Sequence, residues 1–369
     1  MEPSISNIKE KSGNLKFTLT NTNVSIANAI RRTIINDVES VVFKTLPYEK
    51  NNSTFIKNTS RLNNEILKQR LSCIPIHITD IDSFPYKQYI VEVNEKNDTN
   101  VIKYVSTEHF KIKDTSTDKY LNENDTKKIF PPDPLTGDYV VFTRLRPRLS
   151  DDIPGEEIEF TCKLDIGSAN EDSMFNCVST CAYGMTQDLV EVNKQWTNRE
   201  LKLKKDGVSK EDIDFEKSNF MNLDAKRCTQ ENSFDFNIES VGVFKNKILF
   251  KKGCELLINK LKSFESAFEK NTVIINKSDT LVEHCYEIIL QDEDYTIGKT
   301  FEYILYTQYF EKKDVLSFCG FKKHHPHDSY SIVRVAFKKN TELSEIYSMC
   351  IEVCKYGVKL FEKINSAMI

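Results

Sequence analysis

Along residues 14–21, "NLKFTLTN", apolar and polar side chains alternate, which predicts a half-buried strand with Leu15, Phe17 and Leu19 on one face. The period then changes. From Val24 to Val38, Ala27, Ile30, Ile34 and Val38 recur at helical spacing, and Asn23 or Ser25 is placed to cap the helix they define. At about 100° per residue, Arg31 falls inside this apolar arc, between the stripe and Ile35, while Arg32 points further out. A second short helix is predicted over "NNEILKQRL", residues 63–71, and Pro75 stops it.

Residues 76–235 read differently, as short β-type runs ("QYIVEV", "DYVVFTRLRP", "EEIEFTCKL") broken by polar segments. Two of those segments, "DTSTDKYLNENDTKK" and "NRELKLKKDGVSKED", read as loops or flexible insertions on composition. Strict alternation returns in "FDFNIESVG", with Phe234, Phe236 and Ile238 on one face. A long helix follows, in which Cys254, Leu257, Leu261, Phe264 and Phe268 fall at alternating three- and four-residue steps, a seam made to pack along another helix.

The last hundred residues repeat the theme. The strand-like "VEHCYEIIL" leads into a helix with Ile297, Phe301, Ile304 and Leu305 on one side, then "VLSFCGFKK" and the strand "SIVRVAF". A closing helix is predicted from about Thr341, with Leu343, Ile346, Cys350, Val353 or Cys354, Leu360 and Ile364 as a near-heptad stripe. The pattern therefore predicts an α+β fold: two units of strand, helix, strand and long terminal helix, the first interrupted by a β-rich insert. The boundaries are 1–75 with 234–270 for the first unit, 76–233 for the insert and 271–369 for the second unit.

Length agrees, since 369 residues predict two or three domains, each able to bury a core. Lys plus Arg number 51 against 55 Asp plus Glu, a net charge of −4, so autonomous nucleic-acid binding is disfavoured. Ten cysteines and the lack of an apolar leader at Met1 to Glu10 point to free thiols in a reducing, intracellular compartment. No apolar stretch is long enough to span a bilayer.

The candidate chemistry is thin. Gly298, Lys299 and Thr300 at a helix start look like the end of a phosphate-binding loop, and a nucleotide-binding enzyme using them is the alternative reading. Such a loop needs a second glycine five residues earlier, and that position is Glu293, flanked by Asp292 and Asp294. The pairs Asp80/Asp82, Asp212/Asp214 and Asp292/Asp294 lack a third carboxylate at fixed spacing for Mg²⁺ and read as solvated turns. His324, His325 and His327 are splayed by Pro326. Cys177/Cys181 and Cys350/Cys354 have the spacing that stacks thiols on one helix face, where they serve as small buried hydrophobes. A zinc site from Cys162, Cys177, Cys181 and Cys228 would lack the usual two closely spaced ligand pairs. No nucleophile elbow and no distinctive general base is present. Arg31 and Arg32 remain. Both could be a solvated helix face, but an arginine inside an apolar arc calls for a carboxylate or carbonyls opposite it, which points to a second protein.

These segments resemble a known family. "VSIANAIRRTIINDV" followed by "STFIKNTSRLNNEILKQRLSCIPI" resembles the opening of the alpha-type assembly subunit of DNA-directed RNA polymerases, the third subunit in eukaryotic enzymes. "RLRPRLSDDIPGEEIEFTCKLDIGSANEDSMFNCVST" resembles that family's insert domain, and "FDFNIESVGVF" its return to the assembly domain. The helix start around Gly298 with "VLSFCGFKKHHPHDSYSIVRVAF" is similar to the smaller partner, the eleventh subunit. Both on one chain resembles the fused form in some large DNA viruses.

The resemblance implies a component of a polymerase with no catalytic residues of its own. It would be an assembly platform of two alpha-type dimerisation units, antiparallel strands with packed helices, plus the insert. The units would pair through Leu257, Leu261, Phe264, Phe268, Ile297, Phe301, Ile304, Leu343, Ile346 and Leu360. Arg31 and Arg32 would face the second-largest subunit, with the helix bearing Asn64, Glu65 and Arg70 near the same surface. The largest subunit and small polymerase subunits are further implied partners. A membrane and a small-molecule substrate are not implied, and no zinc or iron–sulfur cofactor is carried over, because the closely spaced four-cysteine metal loop of many relatives is missing. Localisation would be a cytoplasmic viral factory and virion for a viral protein, otherwise the nucleus.

Overall fold

The computed structural model describes residues 2–148, 150, 153–279 and 281–368; Leu149, Asp151 and Asp152 of the insert-like segment lie outside them. The chain is α+β and divides into two compact units: Met1–Thr33 with Thr180–Glu239 and Phe250–Ile369, and Ile34–Ser179 with Ser240–Leu249. These cuts fall elsewhere than the expected breaks at 75/76 and 233/234.

Strands β1 (Ser4–Lys11) and β2 (Asn14–Thr20) form an antiparallel hairpin with Ile5 opposite Leu19. Strand β1 escapes the alternation rule because the register shifts between Ser6 and Lys9, with Asn7 at φ 55°, so Ile5 and Ile8 are three apart instead of two. Leu15, Phe17 and Leu19 of β2 are buried as expected. Helix α1 (Val24–Asn36) is capped by Asn23, whose Oδ1 accepts from the Ser25 N–H at 2.9 Å.

The second unit holds β3 (Ser40–Val42), β4 (Ser53–Asn58), α2 (Asn64–Ser72), β5 (Tyr89–Lys96), β6 (Lys103–Ser106), β7 (Lys111–Asp114) and β8 (Lys119–Tyr120). It continues through α3 (Glu123–Ile129), β9 (Val141–Leu145), β10 (Glu157–Lys163) and β11 (Asp165–Gly167). Its main sheet runs β4-β10-β5-β7-β8, beside the ribbons β6-β9 and β3-β11. Phe43, Leu67, Leu71 and Ile74 share one core with Phe110, Phe142 and Phe160 of the insert, which is why residues 34–75 belong to this unit. The segment read as flexible, 114–128, is ordered as β8 and α3: Asn122 caps the helix, and the Ile129 and Phe130 that follow reach the core.

Back in the first unit come β12 (Val178–Gln187), α4 (Leu189–Lys205), α5 (Lys210–Asn222), β13 (Thr229–Ser240) and α6 (Asn246–Glu269). Residues 198–212, also expected to be a flexible insertion, lie within or between two capped helices. Asp188 and Ser209 are the caps, and Trp196 packs on Phe220 at 5.7 Å in a small core of their own. Lysine and glutamate favour helix as much as they favour loops, and only the sparse Val192, Trp196, Ile213 and Phe220 mark the buried side. Strand β12 pairs into the sheet β1-β2-β13-β12, drawing residues from 180 onward into this unit; Cys181 thus lies on a strand and Cys177 in the bend just before it, neither on a helix. Phe236 of β13 stacks on Phe17 at 5.0 Å.

The final third is β14 (Ile275–Lys277), β15 (Cys285–Gln291), α7 (Tyr295–Leu305) running into a π-helical stretch at Tyr306–Lys312, β16 (Leu316–Lys322), β17 (Tyr330–Phe337) and α8 (Leu343–Ala367). Its antiparallel sheet is ordered β14-β15-β17-β16. Most of both copies of the predicted strand, helix and long-helix pattern therefore lies inside the first unit.

Candidate functional site

The two long helices meet where the stripe pattern places them. Leu257, Leu261, Phe268, Ile297, Phe301, Ile304, Ile346 and Leu360 are buried, and Phe264 is half-buried against the same core. Leu343 is a correction: it is the first residue of α8 and 49% exposed, outside the seam, because the stripe begins one turn later at Ile346. The Phe268 ring of α6 stacks on Phe301 of α7 at 5.9 Å and meets Tyr347 of α8 edge-on at 6.3 Å. Gly357, in mid-α8, allows the closest approach: a Cβ there would stand 2.8 Å from Leu261 Cδ1 of α6 and 3.1 Å from Ile304 Cδ1 of α7. Lys355 and Glu265 pair across α8 and α6 at 3.6 Å.

The start of α7 is fully committed to this packing. Asp294 caps it, accepting from the Thr296 N–H at 2.8 Å, and the Gly298 N–H donates to the Asp294 carbonyl at 2.9 Å. A Cβ on Gly298 would lie 1.9 Å from Phe321 Cε2, so the glycine is there to admit the Phe321 ring. Lys299 pairs with Glu302 on the helix surface. The Thr296 and Gly298 amides and the lysine are therefore engaged by the chain itself.

Arg31 and Arg32 have different surroundings. Arg32, expected to point out toward a partner protein, donates from Nη2 to the Asp294 carboxylate and from Nε to Thr296 Oγ1 at 2.9 Å, joining α1 to α7 inside the chain. The helical wheel placed it correctly off the apolar stripe but held no information about Asp294, 262 residues on. Arg31 is half-buried, donates from Nε to Asn28 Oδ1 at 2.9 Å and has no carboxylate partner among the described residues. Burial pushes the neighbouring Cys181 thiol up to about 12, and the Arg31 charge offsets part of that rise.

In the second unit, Arg70 donates to the carbonyls of Phe142 at 2.6 Å and Val141 at 2.8 Å, tying α2 to β9. Asn64 accepts from Asn58 Nδ2 at 2.8 Å, and Glu65 is exposed.

Burial sets the Asp294 carboxyl upward, but the Thr296 hydrogen bonds and the Arg32 guanidinium outweigh it and hold the group below its ordinary value. A depressed carboxylate contributes stability that is complete above its unfolded pKa of about 3.9 and disappears as pH falls through the lower folded value. The stability gap between the native chain and Asp294→Asn is accordingly expected to be constant from pH 6 to 8 and to shrink below about pH 4. Urea midpoints of both proteins across that range measure it; a gap that widens in acid refutes the assignment.

The cysteine and histidine clusters carry no metal geometry. Among the described residues no group of three or more His, Cys, Asp or Glu is arranged to hold an ion. His325 and His327 are not splayed by Pro326 as expected; their rings sit 5.1 Å apart because the His327 N–H donates to His325 Nδ1. Cys162 is buried on β10, where desolvation drives its thiol far upward. No helix among the described residues is long and apolar enough to cross a membrane.

Sequence reasoning overlooked Gly357 and Tyr347. An isolated glycine inside the strong helical pattern of residues 343–367 is a usable signal for close helix approach, whereas Tyr347 gives none.

Antiparallel sheets backed by long helices that meet along a shared seam define an α+β dimerisation fold. The chain belongs to the RNA polymerase Rpb3/Rpb11 dimerisation domain family, whose model matches residues 16–261. It is similar to the DNA-directed RNA polymerases I and III subunit rpac1 of Dictyostelium discoideum, with 26% identity over 71% of this chain and 81% of the relative. The corresponding RPAC1 subunit of Saccharomyces cerevisiae is 24% identical over 70% of this chain and 85% of its own length. A shorter stretch, 26% of this chain, is 26% identical to subunit RPAC2 of Danio rerio over 83% of that relative.

Proposed function

We propose that this chain is a non-catalytic assembly subunit of a multisubunit DNA-directed RNA polymerase in which both members of the dimerising pair are one polypeptide. The observation that carries the reading is the α6 seam closing on α7 and α8 within a single chain, through Phe268, Phe301, Tyr347 and Gly357. Similarity to two differently named subunits, RPAC1 over most of the chain and RPAC2 over a quarter of it, supports the same reading. Expected domain limits of 1–75 with 234–270 for the third-subunit-like half and 271–369 for the eleventh-subunit-like half remain part of the proposal as functional halves. Linkage in one chain raises the effective concentration of one half for the other to about the millimolar range, so the pair needs no second copy.

The platform would then recruit the two large catalytic subunits, Arg31 contacting the second-largest, with Asn64 and Glu65 of α2 as further contacts. Arg32 and Arg70 each spend two of their five guanidinium donors inside the chain and are secondary contacts in this reading. The fused arrangement agrees with an origin in a large DNA virus and work in its cytoplasmic factory. The test is affinity purification of the tagged chain from its source at high salt, with sedimentation of the isolated chain alongside. Co-elution with both large polymerase subunits and a monomeric isolated chain are expected. An obligate homodimer, recovery without the large subunits, or specific nucleoside triphosphate trapping by the isolated chain would each overturn the reading.

A further inference from the structure

Strand β12, Val178–Gln187, ends the sheet β1-β2-β13-β12: it pairs with β13 on one side and with no strand among the described residues on the other. Its 10 residues make it the longest strand at any sheet edge among the described residues, and its sequence, VSTCAYGMTQ, holds no charge and no proline. The opposite edge is blunted in the usual ways, since β1 carries the register shift at Asn7 and the charges of Lys9, Glu10 and Lys11. A long edge without such protection is a template for a further strand.

Helix α1 runs beside this edge. The Tyr183 ring meets Phe234 at 5.3 Å and Phe236 at 5.4 Å, which places Tyr183, with Cys181 and Met185 two residues to either side, on the core-bearing face of the sheet. The Arg31 charge acts on both the Cys181 thiol and the Tyr183 phenol, and just past the end of α1 the Val38 carbonyl accepts from Cys177 Sγ at 3.8 Å. Helix and strand therefore track each other, with Arg31 on the helix side of the β12 edge. Arg31 is half-buried, spends one of its five donors on Asn28 and has no carboxylate partner among the described residues. Met185, on the same face, is 45% exposed.

An open row of backbone N–H and C=O groups beside an uncompensated guanidinium suits an extended chain that brings a carboxylate. A second copy of this chain is a poor occupant. Pairing two β12 edges about a two-fold axis would set two Arg31 charges on the same face of one continuous sheet.

We infer that β12 receives an extended segment of a partner protein as a fifth strand, with an acidic side chain of that segment on Arg31 and an apolar one two residues away over Met185. The inference rests on the reading that places Arg31 at the assembly surface, and it adds how the partner is held there.

The test uses the isolated full chain and the blocked nonapeptide Val-Thr-Val-Thr-Glu-Thr-Val-Thr-Val, with a second peptide carrying Gln in place of Glu. Isothermal calorimetry measures binding, and amide hydrogen exchange reports on residues 180–187. The Glu peptide is expected to bind about tenfold tighter than the Gln peptide, with the difference shrinking as salt is added. Arg31→Gln should bring the two peptides within about twofold of each other, and the native chain with the Gln peptide supplies the same comparison should that variant fold poorly. Bound Glu peptide should slow exchange across 180–187. Equal binding of the two peptides by the native chain, binding without slower exchange at 180–187, or no binding by either peptide overturns the inference. So does dimerisation of the isolated chain that protects the same residues. Polymerase subunits take no part in these measurements, so a failed peptide result leaves their capture standing, and failed capture leaves the peptide result standing.

Discussion

Phe268→Ala is expected to lower the unfolding free energy of the first unit by about 3–5 kcal/mol, as for other fully buried aromatics truncated to alanine. Phe268 has no exposed surface, and its ring is the common contact of three helices: α6, which bears it, α7 through Phe301 at 5.9 Å and α8 through Tyr347 at 6.3 Å. Each aromatic pair adds roughly 0.5–1.5 kcal/mol beyond the area it buries, so one truncation loses the burial, two ring contacts and the packing around the hole. Covalent linkage prevents the halves from drifting apart, so the loss appears as a lower urea midpoint and not as dissociation. Trp196, the single tryptophan, lies in the same unit and provides the fluorescence signal. Phe264→Ala, one turn earlier and only half-buried, should cost clearly less. A Phe268→Ala chain within about 1 kcal/mol of native stability would mean the seam is not what holds the halves together.

Arg31→Ala and Arg32→Ala should separate assembly from folding. Arg32 has its guanidinium on Asp294 and Thr296 of α7, so its removal leaves a half-buried carboxylate without its cation and should cost roughly 1–3 kcal/mol of stability. Arg31 donates to Asn28 and has no carboxylate partner among the described residues, so its loss should move stability by about 0.5 kcal/mol or less. Its effect should fall on binding. Truncating one partner of a desolvated, hydrogen-bonded charge pair costs about 2–5 kcal/mol, or roughly 30- to 5,000-fold in affinity, so Arg31→Ala should lose capture of the second-largest polymerase subunit at moderate salt. Arg32→Ala should retain capture at temperatures where it stays folded. Unimpaired capture by Arg31→Ala would remove Arg31 from the proposed interface.

Local periodicity was enough for the elements that bury one face. Strand β2, helix α1, the α6 seam and the strand at 330–337 were legible because a buried stripe must repeat at the period of its own backbone, whatever it packs against. The match of both halves to one pattern was legible for the same reason, whereas the dimerisation fold was implied by the resemblance of those segments to a known family. Where the period is interrupted, the signal fails. The bulge at Asn7 concealed β1, and the few apolar residues of α4 and α5 were outnumbered by lysine and glutamate that suit helix and loop alike. What only the tertiary structure decided is which distant residues meet. Arg32 and Asp294, Gly298 and Phe321, Gly357 and Leu261 are each joined by chain closure over long separations, and no local pattern encodes such a partner. That closure turned one of two adjacent arginines into an internal strut and left the other without a counter-charge among the described residues.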